Sequence, residues 1–132
     1  MNQPKPSKGP NKKVMDLLLK SAKPMTAYEI LGRLKTSGIK APPTVYRALT
    51  KLIKDGLVHR IESINSFIAC RSDGNHAHAD NFAVCKSCGD VAEIHDKRID
   101  KILSDWSKSA RFKVEKEMIE VLGTCAACNK AA

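Results

Sequence analysis

Two Cys-x-x-Cys pairs, Cys85/Cys88 and Cys125/Cys128, stand 36 residues apart in this chain. The N-terminus is rich in Pro and Lys and has no apolar stretch of the kind a secretory leader carries. A reducing, cytoplasmic setting is therefore expected, where thiols stay free. Four thiolates in two such pairs suit a closed tetrahedral Zn²⁺ site. The gap is wider than in a compact zinc ribbon, so the metal is expected to staple distant parts of one fold. Two separate redox dithiols are the competing account.

A staple matters because the chain is short. Its 132 residues are 42% hydrophobic and only 5% aromatic, which is a modest supply for a core. No apolar run approaches the roughly 20 residues that cross a bilayer, so no membrane partner is expected. The charge is lopsided. Residues 1–60 carry 13 Lys/Arg and 3 Asp/Glu (13 − 3 = +10), and residues 61–132 carry 10 and 11 (10 − 11 = −1). A basic half beside a neutral half points to a module for a polyanion and a module with another task.

The basic half reads as three helices and a hairpin. Residues 1–11, with no apolar residue beyond Met1, read as a disordered basic arm. Residues 12–22 place Val14, Leu17 and Leu18 on one stripe before Pro24. Thr26 and Glu29 make a capping box for a second helix that turns Ile30, Leu31 and Leu34 inward. Pro42-Pro43-Thr44 opens a third helix, which ends at Asp55 with Gly56 after it. Its apolar side is Val45, Leu49, Leu52 and Ile53; its other side is Tyr46, Arg47, Thr50, Lys51 and Lys54. Residues 57–61 and 67–71 flank a polar turn and form a hairpin. This is the plan of a winged helix, with the third helix in the DNA major groove and the hairpin as wing.

After a linker at 73–81, residues 82–132 read as a small α/β unit. The first cysteine pair sits on a strand-turn-strand knuckle. A helix from about 96 to 110 is expected to bury Ile99, Ile102, Leu103 and Trp106, and a strand is expected over 112–122. So small a unit favours both a metal and dimerisation. The fold class is thus α+β: a winged-helix DNA-binding domain over 12–72, and a zinc-stapled dimerisation domain over 82–132.

The remaining soft ligands cluster. His59 and Cys70 fall on opposite strands of the wing, His78 in the linker, and Glu93 after the first cysteine pair. One thiolate, two imidazoles and a carboxylate suit a second Zn²⁺. A small buried hydrophobe is the competing account of Cys70. His76 and His95 have no evident place in the set.

The stretch Pro42-Pro43-Thr44-Val45-Tyr46-Arg47-Ala48-Leu49, then Gly56-Leu57-Val58-His59, then Glu62 to Phe67, then the two cysteine pairs, resembles the ferric uptake regulator family, and within it the zinc uptake regulator branch. The resemblance implies a cytoplasmic repressor that dimerises through its C-terminal domain and, zinc-loaded, silences zinc-uptake genes at an inverted-repeat operator in double-stranded DNA. It places a structural zinc on Cys85, Cys88, Cys125 and Cys128 and a regulatory zinc on His59, Cys70, His78 and Glu93, two per chain. It makes Arg47 the base-contacting arginine and Tyr28 a neighbour of the DNA. The expected DNA-binding set is Tyr28, Thr44, Tyr46, Arg47, Thr50 and Lys51.

No catalytic residue and no small-molecule substrate are expected. An iron, manganese or peroxide sensor of the same family is the nearest alternative, and Cys70 argues against it, since those metals favour nitrogen and oxygen donors. A zinc hydrolase needs an open coordination position, which Glu93 closes. A zinc buffer leaves the basic helix face without a use.

Overall fold

The computed structural model describes residues 9–70 and 79–130. The arm at 1–8, most of the linker, and with them His76 and His78, lie outside the described residues. Two compact units divide the chain, Met1–Asn75 and His76–Ala132.

The first unit holds three helices and a two-stranded antiparallel sheet. Helix α1 spans Pro10–Lys20. It starts earlier than the expected residue 12, because Pro10 occupies the first turn, where its fixed φ suits a helix and its missing N–H is not needed. Helix α2, Ala27–Leu34, begins with the expected capping box. The Glu29 amide donates to Thr26 Oγ1 (3.1 Å), and the Thr26 amide donates to Glu29 Oε1 (3.3 Å). A single 3-10 turn follows, and Gly38, at φ 93°, ends it.

Helix α3, Pro42–Lys54, turns Val45, Ala48, Leu49 and Leu52 into the core. Gly56, at φ 75°, then reverses the chain into strand β1, Val58–Ile61. β1 pairs antiparallel with β2, Ser66–Ala69, in the register Val58↔Ala69 to Ile61↔Ser66. Asn65 carries the left-handed conformation at the hairpin tip (φ 47°), which Asn tolerates better than most residues. An isolated bridge between Met25 and Phe67 ties β2 to the start of α2. The core includes Val14, Leu18, Ile30, Val45 and Leu52, all nearly inaccessible to solvent. At about 1.5–3 kcal/mol for each such side chain, this burial is what holds three short helices together.

The second unit is a three-stranded sheet in the order β4-β3-β5 with one helix. Strand β3, Ala79–Cys85, pairs antiparallel with β4, Val91–Glu93. It pairs in parallel with β5, Glu117–Gly123. Parallel neighbours need a crossover, which here contains β4 and helix α4, Lys97–Ala110. Asp96 caps α4 by accepting from the Arg98 amide at 2.9 Å. Hydrogen bonds from the Arg98 guanidinium, then that amide, hold the Asp96 carboxyl down to about 2.

Three expectations fail in this unit. Strand β3 starts at Ala79, inside the linker expected over 73–81, because its pairing with β5 already begins at Ala79↔Glu117. The strand expected from 112 starts at Glu117. Residues before it are spent on leaving the helix: Arg111 is left-handed at φ 51°, and the Phe112 amide returns to the Ser107 carbonyl at 2.8 Å. Nor does α4 bury its whole apolar stripe. Ile99 and Leu103 are half-buried, but Ile102 is 67% exposed and Trp106 54%. The described residues of this unit offer too little surface to cover them, and Trp106 instead meets the Phe112 ring at a centroid distance of 5.3 Å.

Candidate metal centre and nucleic-acid interface

The parallel β3–β5 register brings the two cysteine pairs together. Cys85 ends β3 opposite Gly123, the last residue of β5. The Lys86 amide continues the ladder by donating to the Gly123 carbonyl at 2.8 Å. The chain then turns twice in similar fashion. Gly89 N–H donates to the Cys85 carbonyl (3.0 Å), with Gly89 at φ 79°, and Cys128 N–H donates to the Cys125 carbonyl (3.0 Å). The ligand atoms of Cys85, Cys88, Cys125 and Cys128 all lie within 4.8 Å of one another.

All four are free thiols. Cys88 Sγ and Cys125 Sγ are 3.8 Å apart, far beyond the roughly 2.05 Å of a disulfide. In a tetrahedron of Zn–S bonds of about 2.3 Å, neighbouring sulfurs stand about 3.8 Å apart. The donor set and its spacing therefore fit one tetrahedral, thiophilic cation.

Backbone amides prepare the site for negative charge. The Cys125 amide donates to Cys85 Sγ at 3.3 Å. That bond, with the amides of Cys88 and Ser87, lowers the Cys85 thiol to about 6. The Asp90 amide pulls Cys88 down, but burial and the Cys85 and Cys125 sulfurs outweigh it and the thiol is raised. Cys128 is pushed up to about 12, chiefly by Cys125 and then by Cys88. Four thiols this close cannot all ionise without a cation among them.

The wing carries His59 and Cys70, two side chains able to ligate a metal, although among the described residues only the four cysteines form a cluster of three or more such groups. His59 lies on β1 opposite Ile68, and the Cys70 amide donates to the Leu57 carbonyl at 2.9 Å. In that register His59 and Cys70 are diagonal neighbours on one face of the hairpin. Both are buried, His59 to 7% exposure and Cys70 to 4%. Glu93 ends β4 in the other unit, with its carboxylate 3.4 Å from the imidazole of the exposed His95.

The outward side of α3 is as expected. Tyr46, Arg47, Thr50 and Lys51 are exposed, and Thr44 is half-buried in the first turn. Arg47 Nε donates to the Pro43 carbonyl at 3.4 Å, and Thr50 Oγ1 donates to the Tyr46 carbonyl at 2.9 Å. Thr50 thus presents acceptor lone pairs outward. Lys51 leans on Asp55 at 3.1 Å. Tyr28, on α2, is 76% exposed. One residue of consequence carries no sequence signal: Asn81, buried in β3, donates through Nδ2 to Glu117 Oε2 on β5.

The ferric uptake regulator family model matches residues 7–122. The chain belongs to that family. Among its ferric uptake regulator relatives, the zinc uptake regulation protein of Escherichia coli strain K12 is 35% identical over 105 residues, covering 79% of this chain and 61% of that protein. The chain therefore matches less than two thirds of that relative's length. Two solved structures are similar across nearly the whole chain. One is a zinc uptake regulator complexed with zinc and DNA, 32% identical with a TM-score of 0.85 over 92% of this chain and 82% of that one. The other is holo XcZur, 36% identical with a TM-score of 0.81 over 93% and 85%. The expected likeness to the zinc branch and the α+β fold class both stand. The second cysteine pair falls beyond the segment the family model matches, so its role rests on the sulfur geometry above.

Proposed function

We propose that this chain is a zinc-responsive, DNA-binding transcriptional repressor of zinc-uptake genes, acting in the cytoplasm as a homodimer on an inverted-repeat operator, with no catalytic role. The observation that carries it is the pairing of a convergent four-thiolate centre with a winged helix whose third helix turns a cationic, carboxylate-poor face outward. Its likeness to a regulator solved with both zinc and DNA supports the same reading.

Each chain is assigned two zinc ions. Zinc at either centre supplies a divalent charge that neutralises thiolates and a tetrahedral geometry that fixes their directions. Cys85, Cys88, Cys125 and Cys128 form the structural centre. His59, Cys70, His78 and Glu93 form the regulatory one, drawing on the wing, the linker and the second unit. The DNA-competent arrangement is then the one in which these four groups converge, and holding the metal shifts the population toward it. Exposed Ile102, Trp106, Val121 and Leu122 supply the apolar surface that a second copy covers. Arg47 reads base edges, Lys51 and Thr44 meet phosphate, and Tyr28, Tyr46 and Thr50 complete the contact set.

The deciding experiment is operator binding by the dimer across buffered free zinc, iron(II) and manganese(II). Binding that rises with zinc alone is expected; an equal response to iron or manganese would move the chain to the other sensor class. Arg47→Ala should lower the preference for operator over random DNA by about 1–3 kcal/mol with zinc content unchanged, as loss of a bidentate guanine contact does. Lys51→Ala should weaken both DNAs alike and flatten the salt dependence. Operator preference unchanged in Arg47→Ala would remove it from the reading face.

A further inference from the structure

We infer that Asn81 and Glu117 are a positioning pair for the four-cysteine centre: their hydrogen bond sets the register of the parallel β3–β5 pairing, and the register decides whether the two cysteine pairs meet. This rests on reading those cysteines as the zinc site.

The need for such a device follows from β5 itself. Strand register is usually specified by one apolar and one polar face. β5 lacks that pattern, since Met118 and Leu122 lie on one face while Ile119 and Val121 lie on the other. None of the four is fully buried. A slip by one residue therefore exchanges one apolar set for another with little penalty. It moves Gly123 away from Cys85, and with it the Cys125 amide that donates to Cys85 Sγ.

Asn81 supplies the missing specification. It is 5% exposed, its register partner is Ile119, and its carboxamide reaches diagonally to Glu117, two residues earlier on β5. By strand alternation Asn81 lies on the same face as Cys85. Its Oδ1 is buried with no hydrogen-bond partner among the described residues, which makes Asn a poor choice for stability alone. One buried polar residue that fixes register at some cost in stability is a known use of Asn. The pair opposes the slip that the apolar pattern of β5 leaves cheap. A slip of one residue in either direction turns Glu117 to the opposite face of the sheet and breaks its bond to Asn81.

The test uses the full-length chain, zinc affinity by chelator competition, and the absorption spectrum at saturating cobalt(II). Asn81→Val should weaken the four-cysteine centre about 10- to 100-fold, the usual range for groups that orient metal ligands. At saturation its cobalt spectrum should lose the four-thiolate signature, because displaced pairs bind as separate two-sulfur sites. Glu117→Gln offers the same acceptor oxygen and should stay within about twofold of wild type with the spectrum intact. If Asn81→Val does not fold, Glu117→Leu, a change at a half-exposed position, breaks the same bond from the other strand and should show the same losses. Wild-type affinity in the bond-breaking variants, or weaker affinity with an unchanged saturated spectrum, would reduce the pair to an ordinary contact and overturn the inference. Equal damage from Glu117→Gln would overturn it too, by showing that charge matters and the hydrogen bond does not. A wild-type chain without a four-thiolate cobalt spectrum would instead sink the metal reading on which this rests.

Discussion

Cys88→Ser is expected to release the structural metal, lower the melting temperature sharply and dissociate the dimer. The side chain lies at the meeting point of the two knuckles, 3.8 Å from Cys125 Sγ. Zinc in four-ligand structural sites is worth about 10–16 kcal/mol of apparent binding free energy, most of it unavailable to an unfolded chain. Whole small domains are stable by only about 5–15 kcal/mol. Among the described residues the second unit has few fully buried apolar side chains, Phe82 and Val84 chief among them. Losing one of four thiolates should therefore unfold that unit first, while α1–α3 and the wing keep their own core. Metal content by atomic absorption, calorimetric melting and sedimentation on one preparation check this. A mutant that stays folded, dimeric and fully loaded would show that the centre is misassigned.

The second large effect belongs to Cys70. Cys70→Ser keeps the shape and removes a good zinc ligand. The four-cysteine centre is untouched, so fold, dimer and structural zinc should survive. One zinc equivalent per chain should be lost, and with it the zinc-induced gain in operator affinity. Allosteric couplings are typically about 1–3 kcal/mol, so affinity at saturating zinc should fall roughly 5- to 150-fold. His59→Ala, His78→Ala and Glu93→Ala should follow, while His95→Ala should do less. If Cys70 is only a buried thiol, the result differs: lower stability at unchanged zinc stoichiometry and response. Metal content and DNA affinity measured on the same sample separate the two.

What could be read in advance was local. The Thr26/Glu29 capping box, the Pro42-Pro43 helix start and the turn between residues 61 and 66 each depend on residues a few positions apart, and each formed as expected. The cysteine pairs were legible because thiols at that spacing have few other uses. The partner of β3 was not. A parallel strand 38 positions away leaves no short-range mark, and β5 lacks the alternation that would reveal its faces. Asn81 was missed for the same reason: a polar residue between Asp80 and Phe82 looks like the end of a linker until Glu117 is seen beside it. Periodicity puts the exposed Ile102 and Trp106 in a core because it shows which side of a helix is apolar and says nothing about which molecule covers it.

The parallel pairing also sets a timetable for synthesis. When Ala79 to Cys85 leave the ribosome, the residues that pair with them, Glu117 to Gly123, have still to be made. At about 5–20 residues per second, 38 residues take roughly 2–8 s. For that interval Phe82 and Val84 can gain β4 on one side but no strand on the other, and Cys85 and Cys88 can offer a metal two sulfurs but not four. The winged helix, whose core runs from Val14 to Ala69, can already be folded. Each new molecule thus passes through a stage in which its winged-helix half is finished and its cysteine-bearing half is an open strand, when it is most exposed to chaperones and proteases.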